Sequence, residues 1–260
     1  MLIHGHSIAE SRLHELQLER SKLGPLTLSI VVMQEDAVTN SFLKIKRRVA
    51  ERLGVAVVYV PTLAEAVGDG VILQLPLPLG VDQDVERNKI PFMKDVDGLS
   101  DAAFEAFCRG EFPPPPVARA LDDILKLYDI SYKDKQVVVV GKGRLVGAPA
   151  AELFRQRGAH VTVLERGAPL DVVREADILV LGAGSPGLIT PELIHPGVVI
   201  LDAGTSESAG KVVGDADPRC AERASLMTAV PGGVGPIAVV EIFANLFELV
   251  RRGHTVSART

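Results

Sequence analysis

The chain has 260 residues, 47% of them hydrophobic, which is enough apolar material for one large domain or two modest ones. Its net charge of -5 gives no field that would attract DNA or an acidic membrane surface, so we expect no nucleic-acid partner. Two cysteines far apart in sequence, Cys108 and Cys220, exclude a disulfide framework and a cysteine-rich metal site. Since the chain shows neither a span-length apolar stretch nor a secretory signal, the sequence predicts a cytoplasmic protein with no membrane partner.

The first half of the chain alternates strand-length apolar runs with a helix, as α/β proteins do. The pattern predicts strands at 26–33, 55–60 and 69–75 and a basic helix at 38–53. The run FPPPP at 112–116 can be neither helix interior nor central strand, so it predicts a stiff connector and a domain boundary.

The second half begins with a predicted helix at 117–128 and a buried strand at 136–140, which leads into a glycine-rich turn at 141–147. A strand, a glycine-rich turn and a helix form the opening of a dinucleotide-binding unit. The remaining predicted elements are strands at 160–164, 177–181 and 198–202 and a last helix that starts at Ile237 and ends in Arg251, Arg252 and Gly253.

These elements predict a two-domain α/β protein. Residues 1–116 form an α/β substrate domain, and residues 117–236 form a Rossmann-like, doubly wound dinucleotide-binding domain. The C-terminal helix, 237–260, is expected to return and pack on the first domain.

The glycine turn supports either cofactor binding or close packing of a strand against a helix. It departs from G-x-G-x-x-G because its third glycine, Gly147, comes one position late. Gly143 would let the backbone approach a pyrophosphate, and the following helix offers its N-terminal amides. Glu165 is placed either for the ribose hydroxyls of NAD or as a solvated charge. Three cations could instead meet the 2′-phosphate of NADP: Lys142, Arg144 and Arg166.

Three rarer motifs carry a family resemblance: DGVILQLPLP at 69–78, KDVDG at 94–98 and VPGGVGPIAV at 230–239. In this order, with a glycine turn and VGAP between the second and third, they resemble the bifunctional methylenetetrahydrofolate dehydrogenase/methenyltetrahydrofolate cyclohydrolase family. The resemblance runs from about His4 to the last helix. It implies a homodimeric enzyme of one-carbon metabolism that binds tetrahydrofolate derivatives between two domains. The implied cofactor is NADP, with NAD as the alternative.

The resemblance also assigns roles within the first domain. In the family, the helix at 38–53 carries a tyrosine and, four residues later, a catalytic lysine; here these are Phe42 and Lys46, on one helical face. A lysine in so basic a helix is ordinarily a solvated charge. By resemblance, Gln74 positions that lysine and the reacting centre, although a strand-end glutamine can simply cap a turn. Leu75 and Pro76, which follow it, are expected at the substrate.

Asp97, the second acid of KDVDG, is implied to hold the amino-pyrimidine edge of the pterin, because a carboxylate accepts from such donors. From the residues alone, KDVDG could equally be a charged surface turn. Pro231, Gly232 and Gly233 are expected where cofactor and folate meet, or else form a hinge.

The remaining strand-end turns are expected to contact the dinucleotide mostly through backbone atoms. With the glycine turn, the expected cofactor-binding residues are Gly141, Lys142, Gly143, Arg144, Val146, Gly147, Glu165, Arg166, Gly182, Ala183, Gly184 and Gly204. The six histidines form no ligand motif, so we expect no metal site.

Several departures from the family pattern keep alternatives open. Phe42 lacks the phenolic hydroxyl, Lys142-Gly143 stands where the family has Arg-Ser, and Pro116-Val117 replaces Cys-Thr. The helix expected between Val60 and Asp69 is nearly absent. The first alternative is therefore an NAD-dependent dehydrogenase with weakened cyclohydrolase activity. The second is a non-catalytic folate- or nucleotide-binding protein.

Overall fold

The computed structural model describes residues 1–34, 37–208 and 211–257. The chain divides into two compact units, one formed by Met1–Ala9 and Val117–Ala238 and the other by Glu10–Pro116 and Val239–Thr260. The sequence predicts residues 1–9 in the first domain, whereas the structure places them in the unit with the larger sheet. The reason is that β1 (Leu2–Ile3) pairs with β11 (Leu226–Thr228) of that sheet.

The larger sheet has six parallel strands in the order β1-β11-β8-β7-β5-β6. Its other strands are β5 (Gln136–Val140), β6 (His160–Leu164), β7 (Ile178–Leu181) and β8 (Val199–Asp202). The chain runs outward from β5 to β6 and then returns to β7, which lies on the other side of β5. The strand order therefore reverses between β5 and β7, and the carboxyl ends of these two strands form the switch point of a doubly wound sheet. This confirms the predicted fold class, and the predicted strands at 136–140 and 160–164 have the observed bounds.

The same unit contains α5 (Pro116–Leu127), α6 (Gly147–Gln156) and an antiparallel pair formed by β9 (Ser206–Ser208) and β10 (Lys211–Val213). Helix α5 begins on the last proline of FPPPP, because a proline in the first helical turn has no backbone N–H to leave unpaired. The connector is therefore one residue shorter than predicted.

The smaller sheet has three parallel strands in the order β3-β2-β4. The elements of this region are α1 (His6–Arg20), β2 (Thr27–Val31), α2 (Ala37–Leu53), β3 (Ala56–Val60), β4 (Gly70–Leu73), α3 (Gln83–Arg87) and α4 (Asp101–Cys108). Between Val60 and Asp69, where the family pattern has a helix, the chain forms a single 3-10 turn at Leu63–Glu65. The central strand, β2, is almost wholly buried, so β2 and β4 hold their carboxyl ends in a fixed position at one edge of the sheet.

Helix α7 (Val234–Ser257) starts three residues before its predicted start. Within the second unit, its Glu241 Oε1 accepts a hydrogen bond from Arg12 Nε at 2.8 Å. Its Asn245 Nδ2 donates to the carbonyl of Val96 at 3.0 Å. These contacts confirm that the C-terminal helix returns to the first part of the chain, although positions 258–260 of the prediction lie outside the described residues. No helix among the described residues is both long and apolar enough for a membrane span.

Candidate active site

Lys46 is buried within a helix whose other cations face solvent. Its exposed fraction is 8%, whereas Lys44, Arg47 and Arg48 on the same helix are exposed. Amines are seldom buried without a polar partner, because removing the charged group from water is costly. The interpretation of Lys46 as an ordinary solvated charge is therefore wrong.

Gln74 is the polar partner of Lys46. Lys46 Nζ donates to Gln74 Oε1 at 2.7 Å, and Gln74 Nε2 donates to the carbonyl of Leu75 at 2.7 Å. Since the amide N–H is used by Leu75, the side chain is oriented with its oxygen towards the amine. The backbone N–H of Gln74 extends the β4 ladder by donating to Val31 O at 3.0 Å. Gln74 is thus a buried residue fixed at the carboxyl end of a strand, not a simple turn cap.

The two carboxylates of KDVDG have different environments. Asp95 is fully buried and shapes the turn, because its Oδ1 accepts from Leu99 N at 3.0 Å and its Oδ2 from Ser100 N at 2.7 Å. Asp97 is partly exposed, and its charge interacts with that of Lys46. Gly98 completes the turn with a φ of +61°, a conformation that favours glycine. The segment is therefore not a plain charged surface turn.

Burial shifts the pKa values of Lys46 and Asp97 towards each other. Desolvation lowers the pKa of Lys46 below its usual 10.5, and the nearby Asp97 carboxylate opposes part of that shift. Burial of the carboxyl raises the pKa of Asp97 to about 6, against the opposing effect of Lys46. The lowered pKa makes the Lys46 amine easier to deprotonate, and the Asp97 carboxyl ionises near pH 6; both changes suit groups that transfer protons.

Phe42 lies one helical turn before Lys46 on α2 and is half-buried. Four-residue spacing places both side chains on one face of the helix. The ring supplies apolar surface there but no hydroxyl. Leu75 is half-buried and Pro76 exposed, both directly after the Gln74 that contacts the lysine.

The glycines of the turn after β5 have two different roles. Close packing requires glycine at some of these positions but not at all of them. Gly141 has a φ of +97°, and a Cβ on Gly147 would collide with the carbonyl oxygen of Gly141. A Cβ on Gly143 would meet only Gly182 O, at 3.9 Å, which is an ordinary contact. Gly141 and Gly147 thus allow α6 to begin against β5, while Gly143 leaves room beside the turn. Val146 lies between these glycines and α6.

The cations and the acid predicted at the dinucleotide are partly paired. Lys142 Nζ lies 3.0 Å from Glu165 Oε1, with the two side chains 63% and 66% exposed. An exposed ion pair contributes little to stability, so a ligand can replace it at small cost. Arg166 is exposed beside Glu165, and Arg144 is half-buried in the turn. The structure thus brings together the acid that suits NAD and cations that suit NADP.

The loop 182–185 after β7 is held by a residue that the sequence analysis missed. Asp215 Oδ2 accepts from Ala183 N at 2.6 Å and from Gly184 N at 3.1 Å, and its Oδ1 accepts from Ser185 N at 2.6 Å. A Cβ on Gly204 would collide with the same carboxylate. Sequence patterns gave no signal for this contact, because Asp215 is about 30 residues away from the loop that it binds.

The loop at 231–233 lies in the same unit as the predicted dinucleotide residues, whereas Lys46, Gln74 and Asp97 lie in the other. Gly232 has a φ of +98°, and its carbonyl accepts from Gly5 N at 2.7 Å. Pro231 is exposed and Gly233 is buried. The N-terminal segment therefore holds the loop 231–233 through a backbone hydrogen bond.

Comparisons with known proteins decide the family. A family model described as "Tetrahydrofolate dehydrogenase/cyclohydrolase, NAD(P)-binding domain" matches residues 115–254. The chain belongs to this family. It is 32% identical to "Bifunctional protein FolD" of Mycoplasmopsis synoviae, over 96% of this chain and 99% of that protein.

Solved structures of this family also resemble the chain. One is a methylenetetrahydrofolate dehydrogenase-cyclohydrolase (FolD) of Trypanosoma brucei complexed with NADP cofactor and inhibitor, with a TM-score of 0.88 and 29% identity over 97% of this chain and 98% of that chain. Another is the bifunctional enzyme of Thermoplasma acidophilum, with a TM-score of 0.88 and 27% identity over 98% of this chain and 100% of that chain. These findings favour a bifunctional enzyme over the dehydrogenase-only and non-catalytic alternatives.

Two alanine substitutions separate packing from ligand binding in the glycine turn. Gly147→Ala should lower the free energy of unfolding by about 1–3 kcal/mol, because its Cβ overlaps the Gly141 carbonyl. Gly143→Ala should change it by less than about 0.5 kcal/mol yet weaken dinucleotide binding about tenfold, because a methyl group would fill the room beside the turn. Urea unfolding and fluorescence titration of reduced dinucleotide measure the two effects. Wild-type affinity in Gly143→Ala would show that Gly143 is only a turn residue.

Proposed function

We propose that the protein oxidises 5,10-methylenetetrahydrofolate with NADP, or alternatively NAD, and hydrolyses the resulting 5,10-methenyltetrahydrofolate. The observation that carries this proposal is the buried hydrogen bond between Lys46 and Gln74, with Asp97 close enough to shift the pKa of the amine. The two activities are those in the name of the Trypanosoma brucei relative, and the dinucleotide is the one in that structure.

The residues around β5 and α6 fit a dinucleotide. Gly143 leaves space at the turn, α6 begins at Gly147 with the positive end of its dipole towards the turn, and Lys142 and Glu165 are exposed beside it. When bound, the dinucleotide supplies the acceptor for a hydride from the folate methylene bridge. The proposed contacts are Gly141, Lys142, Gly143, Arg144, Val146, Gly147, Glu165, Arg166, Gly182, Ala183, Gly184 and Gly204.

Lys46 is proposed as the proton acceptor in the hydrolytic step. Attack of water on the methenyl carbon requires loss of a proton, and only the neutral amine can accept one. Burial favours that neutral form, and the Gln74 oxygen keeps the amine in one orientation by accepting one of its N–H groups. The protonated amine can then return this proton to a folate nitrogen as the bond between that nitrogen and the former methenyl carbon breaks, and the second proton of the water passes to solvent as the carbon becomes a formyl carbonyl.

Asp97 is proposed to bind the pterin through its amino-pyrimidine donors. Its ionised form offers two acceptor oxygens, and hydrogen bonds to an ionised acceptor are roughly twice as strong as neutral ones. Phe42, Leu75, Pro76, Pro231, Gly232 and Gly233 are proposed to contact the substrate through apolar surface and backbone.

The homodimer and the cytoplasmic location expected from the sequence stay predictions, as does the absence of nucleic-acid and membrane partners. Sedimentation velocity of the purified chain tests the first of these. A single species of twice the 27.7 kDa chain mass would support the dimer.

The proposed function is tested by mixing the purified chain with methylenetetrahydrofolate and each dinucleotide. Absorbance of the methenyl product and of the reduced dinucleotide reports turnover, and Glu165→Ala in parallel shows whether that carboxylate favours NAD over NADP. Absence of turnover with both dinucleotides would refute the dehydrogenase activity.

Replacing Lys46 should abolish most of the cyclohydrolase activity. Lys46→Met keeps the length and apolar stem of the side chain but removes the amine, so the rate of methenyltetrahydrofolate decay should fall about 100- to 10,000-fold. Lys44→Met is the matched control, because Lys44 is exposed on the same helix and the change in charge is equal. Equal rates in the two variants would exclude Lys46 as the proton acceptor.

Restoring a hydroxyl at position 42 should increase hydrolysis more than oxidation. Phe42→Tyr adds a hydrogen-bonding group one turn from Lys46, and one such bond corresponds to about a threefold to tenfold gain in cyclohydrolase kcat/KM. Hydride transfer depends mainly on alignment, so dehydrogenase kcat/KM should change less than about twofold. Phe104→Tyr, on half-buried Phe104 of the same unit, is the control. A gain in both variants would show a general effect of an added hydroxyl.

Folate binding should weaken as pH falls through about 6, the raised pKa of Asp97. Above this pH the carboxylate is ionised and can accept from the pterin; below it, protonation removes an acceptor. The folate KM should therefore rise by up to about tenfold per pH unit below the pKa. Asp97→Asn should give a high KM that is nearly constant from pH 5 to 8. A wild-type KM that stays flat across this range would contradict the role of Asp97.

A further inference from the structure

The loop 182–185 has no backbone donor left for a ligand. Gly182 N donates to Val140 O at 2.9 Å as the continuation of the β5–β7 ladder. Ala183 N, Gly184 N and Ser185 N all donate to the carboxylate of Asp215. Four successive N–H groups are thus engaged within the protein, and the backbone polar atoms left to a ligand are carbonyl oxygens.

The carboxylate that binds these N–H groups is tightly enclosed. Asp215 has an exposed fraction of 0%, and neither Gly204 nor Gly214 can carry a side chain without a collision with a buried carboxylate. At Gly204 the collision is with Asp215, and at Gly214 it is with Asp202, which is itself held because its Oδ2 accepts from Ala216 N at 2.9 Å. Asp215 therefore has little freedom to release the loop.

The position and charge of this loop restrict what it can bind. It follows β7 at the switch point of the doubly wound sheet, where α/β proteins place their ligands. Phosphate groups bind where backbone N–H groups or cations point at them. Here the N–H groups are taken and two buried carboxylates lie behind the loop, so it is unsuited to phosphate. It suits a ligand group that donates hydrogen bonds.

We propose that Asp215 is a positioning residue that fixes the loop 182–185 as an acceptor surface for hydroxyl or carboxamide donors of the dinucleotide. This inference rests on the proposed function. It narrows the expected backbone contacts of Gly182, Ala183 and Gly184 to their carbonyl oxygens, and it assigns the loop to the nucleoside parts of the cofactor.

Asp215→Asn tests the role of the carboxylate. The amide keeps the shape of the side chain but replaces one acceptor oxygen by a donor, which faces backbone N–H groups and displaces the loop. Dinucleotide Kd and KM should rise about tenfold to 100-fold. Cyclohydrolase kcat/KM, which needs no dinucleotide, and folate KM should stay within about twofold of wild type. Asp171→Asn, an exposed acid in the same unit, should leave all values unchanged.

Gly204→Ala provides a second variant that leaves the charge intact. Its methyl group would push on the Asp215 carboxylate, so dinucleotide affinity should fall in the same way as in Asp215→Asn. Gly24→Ala is the matched control, because a Cβ there meets no atom within 4 Å. The fluorescence of reduced dinucleotide measures Kd without turnover, and the absence of tryptophan keeps that signal free of protein background.

The 3-acetylpyridine analogue of the dinucleotide distinguishes the two donors, because it keeps the ribose hydroxyls and lacks the amide N–H groups. If Asp215→Asn no longer raises the Kd of this analogue, the loop binds the carboxamide. If the rise in Kd persists, the loop binds the ribose hydroxyls.

Three outcomes would overturn the inference. They are wild-type dinucleotide Kd in Asp215→Asn, a parallel loss of dinucleotide affinity and cyclohydrolase activity in both variants, and a wild-type protein that binds no dinucleotide. If the wild type binds dinucleotide but does not oxidise the folate, the proposed function fails while the role of Asp215 is still decided by Kd.

Discussion

The hydrogen bond between Lys46 and Gln74 is the constraint on which the chemistry of this protein depends. Lys46 occupies a core position of α2, since the buried residues Leu43, Ala50 and Leu53 share its helical face. An amine at such a position is tolerated only with a polar partner and a lowered pKa. Both conditions are met at the carboxyl end of β4, and the lowered pKa also makes the amine easier to deprotonate than an exposed lysine. The fold and the reactivity of Lys46 thus have the same physical origin.

In two motifs of this chain, KDVDG and the glycine turn 141–147, some residues shape the backbone and another is proposed to bind a ligand. In KDVDG, Asp95 accepts hydrogen bonds from the backbone N–H groups that form the turn, whereas Asp97 is partly exposed and interacts with the charge of Lys46. In the glycine turn, Gly141 and Gly147 serve close packing, and Gly143 does not. Each motif therefore combines residues that shape the backbone with one residue whose proposed role is ligand binding.

The six-stranded sheet, whose loops carry the proposed dinucleotide contacts, has two unlike loops at its switch point. The turn 141–147 leads into the N-terminus of α6, which has positive electrostatic character. The loop 182–185 offers carbonyl oxygens over buried carboxylates. Because a dinucleotide has anionic phosphates in its centre and donor groups in its nucleosides, two loops of opposite character at one edge suit the two kinds of group.

Much of the architecture could be predicted from sequence because it follows from local pattern. The strand 136–140 is an apolar run long enough to specify a buried parallel strand, and 160–164 alternates polar residues with valines, as a half-buried edge strand does. FPPPP forbids regular structure before Pro116. Strand β1 has two residues and no periodicity, so only its pairing with β11 reveals it. Its place in the larger sheet moves residues 1–9 to the other unit.

For the site, the sequence by itself determined which residues are present: the lysine four residues after Phe42, the glutamine before LPLP, the second acid of KDVDG and the glycines. It did not determine whether Lys46 faces solvent or the core, because one helix carries five cations and only packing decides which of them is buried. Nor did it indicate Asp215, whose partners are about 30 residues away. Those features were decided by the tertiary structure, because burial and long-range hydrogen bonds depend on neighbours that chain order does not specify.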